Sequence, residues 1–250
     1  MEQRRTAVVS GGGTGIGRAV AAELAGRGYR VAILGRRAEV LAEAAAEIGT
    51  EVVPIAADLT VAAEVTEAAA TIAALGPVDV LVNNAGAVIT PPADASLEAL
   101  AEAWRRDLDT NLLTAVLLTT ALADHLRRPG GRLILISSAA AQRGGAGPHS
   151  AGSYAAAKAA LHGWGFGLAR RFGPEGITVN IVAPGYVEST EIFGSDWTPE
   201  FHADKISATL VGRAGTPGDV AAAVAYLASP EAGYVTGQVI GVNGGAVLGR

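Results

Sequence analysis

The sequence predicts an α/β protein, doubly wound, with a parallel seven-stranded sheet, helices on both faces and a single domain over residues 1–250. Three observations lead there. Short apolar runs rich in β-branched residues alternate with Ala-rich helical segments along the whole chain, and that alternation builds a parallel sheet through crossover helices. The apolar runs are nearly continuous, as strands buried on both faces are. A glycine cluster follows the first run directly and opens a helix.

The candidate strands are 6–10 with Val8 and Val9, 30–34 with Val31 and Ile33, 51–56 with Val52, Val53 and Ile55, and 78–83 with Val78, Val80 and Val82. Three more follow, at 132–137 with Ile134 and Ile136, 178–184 with Val179, Ile181 and Val182, and 239–242 with Val239, Ile240 and Val242. Helical candidates fill the intervals at 17–27, 38–48, 62–75, 97–126, 152–172 and 217–227. No linker, composition break or internal repeat divides the chain.

The first strand runs into Ser10-Gly11-Gly12-Gly13-Thr14-Gly15-Ile16-Gly17. Glycines let backbone N–H groups approach a ligand closely, and a helix N-terminus favours an anion. A strand, this turn and a helix at the start of an α/β chain make a pyrophosphate site. The spacing Gly11-xxx-Gly15-x-Gly17 is wider than GxGxxG. The end of the second strand belongs beside the adenosine ribose, where an acid selects NAD. Here that stretch reads Leu34-Gly35-Arg36-Arg37. A guanidinium suits a phosphate oxyanion, so NADP(H) is favoured, with Arg36 ahead of Arg37 as the contact; NAD(H) is the alternative.

Composition narrows the function classes. A net charge of −5, without long runs of one sign, gives no nucleic-acid surface. The absence of cysteine excludes disulfides, thiolate catalysis and Cys-based zinc sites, and no metal site is expected. A strand-like run begins within six residues of Met1, leaving no room for a signal peptide. The longest uncharged stretch, 232–249, is broken by five glycines and is a poor membrane span. A cytoplasmic location is expected.

Tyr154 and Lys158 stand four apart on one helix face. A cation held beside a phenol favours the phenolate and lowers its pKa from about 10, which makes Tyr154 a candidate general acid or base.

These features recur in a fixed order. Gly11-xxx-Gly15-Ile16-Gly17 is followed by Asp58-Leu59, then Asn83-Asn84-Ala85-Gly86, Asn111, Ser138, Tyr154-xxx-Lys158 and Pro184-Gly185. Arg213-Ala-Gly-Thr-Pro-Gly-Asp219 and Asn243-Gly-Gly245 close the series. The chain resembles the short-chain dehydrogenase/reductase superfamily in its short, single-domain, Rossmann-type form, including 3-oxoacyl carrier-protein reductase-like members. The resemblance implies a ketone–alcohol oxidoreductase. Tyr154 would be the general acid in reduction and the base in oxidation. Lys158 would bind the nicotinamide ribose and depress the Tyr154 pKa. Ser138 would hold the substrate oxygen, and Asn111 a water near Lys158. Asp58 and Leu59 would flank the adenine, and Asn84, Ala85 and Gly86 would support the adenosine side. Val187 and Ser189, after Pro184 and Gly185, would meet the carboxamide. Asn83 would brace the sheet.

Departures from the family pattern are few. Ser10 stands where Thr is usual, and the segment 139–153, with Pro148 and His149, is a few residues longer. Ser137 neighbours Ser138, and the strand register decides which one faces substrate. Residues 188–212 are the expected substrate lid. Phe193, Trp197 and Phe201, four apart, either line the pocket or pack the lid. As a pocket stripe they suit an apolar or cyclic carbonyl compound. The acids Glu188, Glu191, Asp196 and Glu200 argue against a polyanionic carrier, whereas Arg127, Arg128, Arg170 and Arg171 offer a basic patch elsewhere. Gly163, Gly165 and Gly167 interrupt the Tyr154 helix, each at about 1 kcal/mol against Ala. Close approach of another helix across a dimer interface compensates in this reading, and the resemblance implies a homotetramer. The rival readings are an NAD-dependent alcohol dehydrogenase of the same fold and a catalytically silent nucleotide-binding regulator. The intact Asn111, Ser138, Tyr154 and Lys158 set argues against the second.

Overall fold

A computed structural model describes residues 4–89, 94–145, 152–190 and 198–249. Its seven strands are β1 (Thr6–Ser10), β2 (Arg30–Gly35), β3 (Val52–Ala56), β4 (Val78–Asn83), β5 (Arg132–Ile136), β6 (Thr178–Pro184) and β7 (Val239–Val242). They form one sheet in the order β3-β2-β1-β4-β5-β6-β7, and every pairing is parallel. The order reverses between β1 and β4. A reversal opens a crevice beyond the carboxyl ends of those two strands, where ligands bind in open α/β sheets.

Among the described residues the helices are α1 (Gly15–Gly26), α2 (Ala38–Ile48), α3 (Ala62–Ala73), α4 (Leu97–Leu108), α5 (Thr114–Leu122), α6 (Ala139–Arg143), α7 (Ser153–Phe172), α8 (Pro199–Ser207) and α9 (Pro217–Ala228). Successive side chains in a strand point to opposite faces, so each apolar run feeds two cores. Ala7, Val9, Val31 and Ile33 pack with Val20 and Leu24 of α1 and Val220 and Val224 of α9. Val8, Ala32 and Leu34 pack with Val65 and Ile72 of α3, Leu118 and Leu122 of α5, and Leu168 and Phe172 of α7. The edge strand β7 is only partly covered.

The expected helix over 97–126 is not continuous. A π-helical turn, Asp109–Leu113, separates α4 from α5, and a short 3₁₀ turn follows α5. A π turn widens the helix by one residue and re-aims the side chains around it, here those of Asp107 and Asn111. One glycine of α7, Gly165, also differs from expectation. At Gly165 a Cβ would lie 2.9 Å from Ile181 Cδ1 and 3.1 Å from Leu135 Cδ1, so that glycine admits the sheet rather than another helix. Gly163 and Gly167 face outward, with no atom within 4 Å of an added Cβ.

Candidate active site

The crevice is built from two turns that clasp each other. Gly11 and Gly15 adopt positive φ, 65° and 50°, a region side chains disfavour. At Gly17 a Cβ would stand 2.1 Å from the Gly11 carbonyl oxygen, which only glycine tolerates. The Ser10 hydroxyl accepts from the backbone N–H groups of Asn84 and Ala85, both at 2.9 Å. Asn84 Nδ2 donates back to Ser10 O at 2.9 Å and Gly11 O at 3.3 Å. The Asn84 side chain is therefore committed to shaping the glycine turn. Thr14 starts α1 without a side-chain cap, and the first turn of α1 carries no acid, which leaves its N-terminal charge for an anion. Ile16 packs against the core beneath.

At the adenosine end, Gly35, Arg36 and Arg37 close β2, with both arginines exposed and Arg37 preceding the first turn of α2. Asp58 accepts from Thr60 N at 2.9 Å and Thr60 Oγ1 at 2.7 Å. Those bonds, and to a smaller extent the Arg36 charge, hold its carboxyl below the usual range. Leu59 turns away into the core. Asn83 is buried and donates to Thr119 Oγ1 at 2.8 Å, tying β4 to α5.

The reactive end lies where β4, β5 and α7 meet. Lys158 is 3% exposed, and its Nζ donates to Ile136 O at 3.0 Å. Burial lowers its pKa from 10.5 to about 8, with Asp107 pulling the other way. A Cβ on Gly86 would fall 2.7 Å from Asn111 Oδ1 and 2.9 Å from Lys158 Nζ, so both groups line one spot beside the Gly86 backbone. Ser138, at the start of α6, acts on the Tyr154 phenol and favours its ionised form. It also accepts from Ala140 N at 3.1 Å. Ser137 points the other way, donating to Lys158 O at 2.9 Å and pairing with His162 Nε2 at 2.8 Å.

One expectation is reversed here. Burial dominates at Tyr154 and pushes its pKa up, against the Ser138 hydrogen bond. Lys158 Nζ stands 5.9 Å from the centre of the Tyr154 ring and points to Ile136 O. Burial here works against the phenolate.

After β6, Pro184 is buried and Gly185 meets Asn243, whose Cα would lie 2.8 Å from an added Cβ. Val187 bridges Gly215, fixed by Glu188 N to Gly215 O at 3.0 Å and Gly215 N to Tyr186 O at 2.9 Å. Ser189 has φ 57°, an uncommon value outside glycine. This turn brings Thr190 against the glycine loop, its Cγ2 3.4 Å from where a Gly15 Cβ would stand. Sequence reasoning missed Thr190, and also Asp107 and Ser153. Thr190 lay beside Val187 and Ser189 but had no signal of its own. Phe201 of α8 stands edge-on to Tyr186, ring centres 6.0 Å apart. Pro148, His149, Glu191, Phe193, Asp196 and Trp197 lie outside the described residues. Two members of the expected basic patch are paired, Arg127 with Asp79 and Arg128 with Glu175.

A family model described as Enoyl-(Acyl carrier protein) reductase matches residues 11–247. The Short-chain reductase protein NovJ of Streptomyces niveus is 38% identical, covering 98% of this chain and 95% of its own. The chain belongs to the short-chain dehydrogenase/reductase family. Another relative is the 3-oxoacyl-[acyl-carrier-protein] reductase FabG of Vibrio cholerae, 35% identical over 98% of both chains. A solved Serratia marcescens short-chain dehydrogenase/reductase, a doubly substituted mutant, superposes with a TM-score of 0.85 at 33% identity. It covers 98% of this chain and 99% of its own. This short-chain dehydrogenase/reductase is an oxidoreductase working between alcohol and carbonyl groups. No helix among the described residues is long and apolar enough to cross a membrane.

Proposed function

We propose that the protein interconverts a ketone and a secondary alcohol with NADP(H), using Tyr154 as the general acid in reduction and the general base in oxidation. The observation that carries this reading is the pairing of Lys158 Nζ with Asn111 Oδ1 beside the Gly86 backbone, with the Tyr154 ring 5.9 Å from that ammonium and Ser138 acting on the Tyr154 phenol. The glycine turn suits a dinucleotide's pyrophosphate, because Gly11 and Gly15 hold positive φ and α1 begins without a side-chain cap or an acid in its first turn. The turn through Gly11, Thr14, Gly15, Ile16 and Gly17 would hold the pyrophosphate, and Arg36 the 2′-phosphate, with Arg37 beside it. Asp58, Leu59, Asn84, Ala85 and Gly86 would border the adenosine side, and Pro184, Gly185, Val187 and Ser189 the nicotinamide. Bound there, the nicotinamide supplies a hydride to the carbonyl carbon or takes one from the alcohol carbon.

The chain's own groups manage the proton. The Tyr154 phenol, kept protonated by burial, gives its proton to the substrate oxygen as the C–H bond forms. Ser138 donates a hydrogen bond to that oxygen and stabilises the charge developing on it. The Lys158 ammonium favours the phenolate left on Tyr154. Asn111 Oδ1, lining the same spot as Lys158 Nζ, positions a water through which the phenolate regains a proton. In oxidation the same groups run in reverse.

Arg36→Asp tests the cofactor choice. Losing charge-assisted hydrogen bonds to a phosphate should weaken NADPH binding at least about tenfold. The new acid should favour the NADH ribose, inverting the preference in a nicotinamide-fluorescence titration. Unchanged preference would remove the Arg36 assignment, and tighter binding of NADH than of NADPH by the natural chain would make NAD the cofactor.

Residues 188–212 act as the substrate lid in this reading. Among its described residues, Glu188 and Glu200 bring negative charge and Phe201 an apolar face. That combination supports a small apolar or cyclic ketone over a polyanionic carrier. The protein is also read as a homotetramer, with the outward face of α7 at Gly163, Phe166 and Gly167 in an interface. Gly163→Leu with Gly167→Leu should then dissociate the assembly in sedimentation. An unchanged oligomer would exclude that face.

A further inference from the structure

One carboxylate beside the reactive centre takes part in none of these steps. Asp107 lies in the last turn of α4, four residues before Asn111, and it is 0% exposed. Burying a carboxylate is unfavourable unless donors surround it. Two converge on the Asp107 carboxylate, Asn111 Nδ2 onto Oδ1 at 3.0 Å and the Ser153 hydroxyl onto Oδ2, and they work against the burial that pushes its pKa up. An ionised carboxylate, which only accepts, matches that set.

The arrangement decides which way the Asn111 amide points. Its Nδ2 also donates to Ala87 O at 2.8 Å and Asp107 O at 3.1 Å, while Oδ1 accepts from Ala87 N at 3.1 Å. A flipped amide would press its oxygen against two carbonyls and a carboxylate. Held as it is, Oδ1 faces the spot it shares with Lys158 Nζ. Ser153 is the first residue of α7 and immediately precedes Tyr154.

We propose that Asp107 is a positioning residue of the Tyr154–Lys158 centre, a buried carboxylate that fixes the Asn111 amide and, through Ser153, the first turn of the helix carrying Tyr154. The inference rests on the reading of Tyr154 as proton donor. Its electrostatic consequence has a definite sign. The charged groups acting with Asp107 are Arg106 on its own helix and Tyr154 and Lys158 on α7. The carboxylate favours the Lys158 ammonium and disfavours the Tyr154 phenolate. Removing its charge while keeping its shape therefore makes Tyr154 more acidic even as it releases the Asn111 amide.

The test compares Asp107→Asn, Ser153→Ala and Tyr154→Phe with the natural chain, using NADPH oxidation with ethyl acetoacetate as the ketone probe. Asp107→Asn should lower kcat about tenfold to a hundredfold, the scale of a displaced reacting group. NADPH affinity by fluorescence should stay within about twofold, since the loss falls on kcat and not on binding. Ser153→Ala should lower kcat by less, about threefold to tenfold. A substrate-free readout is the tyrosinate absorbance of Tyr154, isolated by subtracting the matching Tyr154→Phe protein. It should titrate at lower pH in Asp107→Asn and stay in place in Ser153→Ala, a change that a purely structural role does not produce. Natural kcat and an unmoved Tyr154 titration in Asp107→Asn would overturn the proposal. Should Asp107→Asn fail to fold, natural kcat in Ser153→Ala would overturn it equally. Full turnover in Tyr154→Phe would instead remove the reading of the site on which the proposal stands.

Discussion

Tyr154→Phe is expected to lower kcat by about a thousandfold, within the range for losing a positioned proton donor. The substitution removes one oxygen and keeps the ring, so packing between Ser138 and Lys158 is retained. No described bond holding Lys158 or Asn111 uses the phenol: Lys158 Nζ is on Ile136 O, and Asn111 is held by Ala87 and Asp107. NADPH affinity should change by less than about threefold, because the loss belongs to the transition state. Single-turnover reduction of a ketone by bound NADPH, followed by absorbance, separates the two effects. A variant that binds NADPH normally but transfers no hydride supports the assignment. A variant that turns over at the natural rate would move the proton donor elsewhere, and Ser138 is a hydroxyl that acts on the phenol.

Much of the fold was legible in the sequence because its strands are short, apolar and bounded by turns. Val31, Ala32, Ile33 and Leu34 read as one buried run, and the sheet divides them between two cores. The strand edges differ by one residue at β2, β3 and β5, where pairing with neighbours decides the last residue. The helix over 97–126 was misread as continuous because propensity carries no trace of a π turn. Asn111 within that turn and Asp107 just before it are both buried.

The site was legible to the extent that backbone chemistry shaped it. Gly11, Gly15, Gly17 and Gly86 stand where a side chain would strain or collide, and glycine there is a physical requirement. Asp107 was not legible. In the run Arg105-Arg106-Asp107-Leu108-Asp109 it looks like one more charge on a solvated face, and only the structure shows that it is fully buried. The direction of the Tyr154 shift was misjudged for a related reason. Spacing on a helix places Lys158 nearby, but burial of the phenol outweighs a cation that is itself bound to Ile136 O.

Lys158→Met should abolish ketone reduction and yet stabilise the fold. The ammonium is buried at 3% exposure, and its described hydrogen bond is to one carbonyl. Its pKa falls from 10.5 unfolded to about 8 folded, so at pH 7 the folded state bears a cost on the order of 3 kcal/mol. Methionine fills similar volume without charge. Ile136 O then loses its donor, at about 1 kcal/mol, and Asp107 loses a neighbouring cation, so a net gain of about 1–2 kcal/mol is expected. The pH dependence supplies the check. For a lysine whose folded pKa is lowered, the unfolded chain binds more protons between the two values, so stability rises with pH across that interval. The cost is full below about pH 8 and fades toward 10.5. Denaturant unfolding at pH 7 should therefore show the Met variant more stable, with that advantage shrinking above about pH 8 and reversing before about pH 10, where the lost hydrogen bond to Ile136 O outweighs what remains of the lysine's cost. A less stable variant at pH 7 would mean that the ammonium contributes to the fold. The expected result instead makes Lys158 a group that this fold retains at a cost in stability.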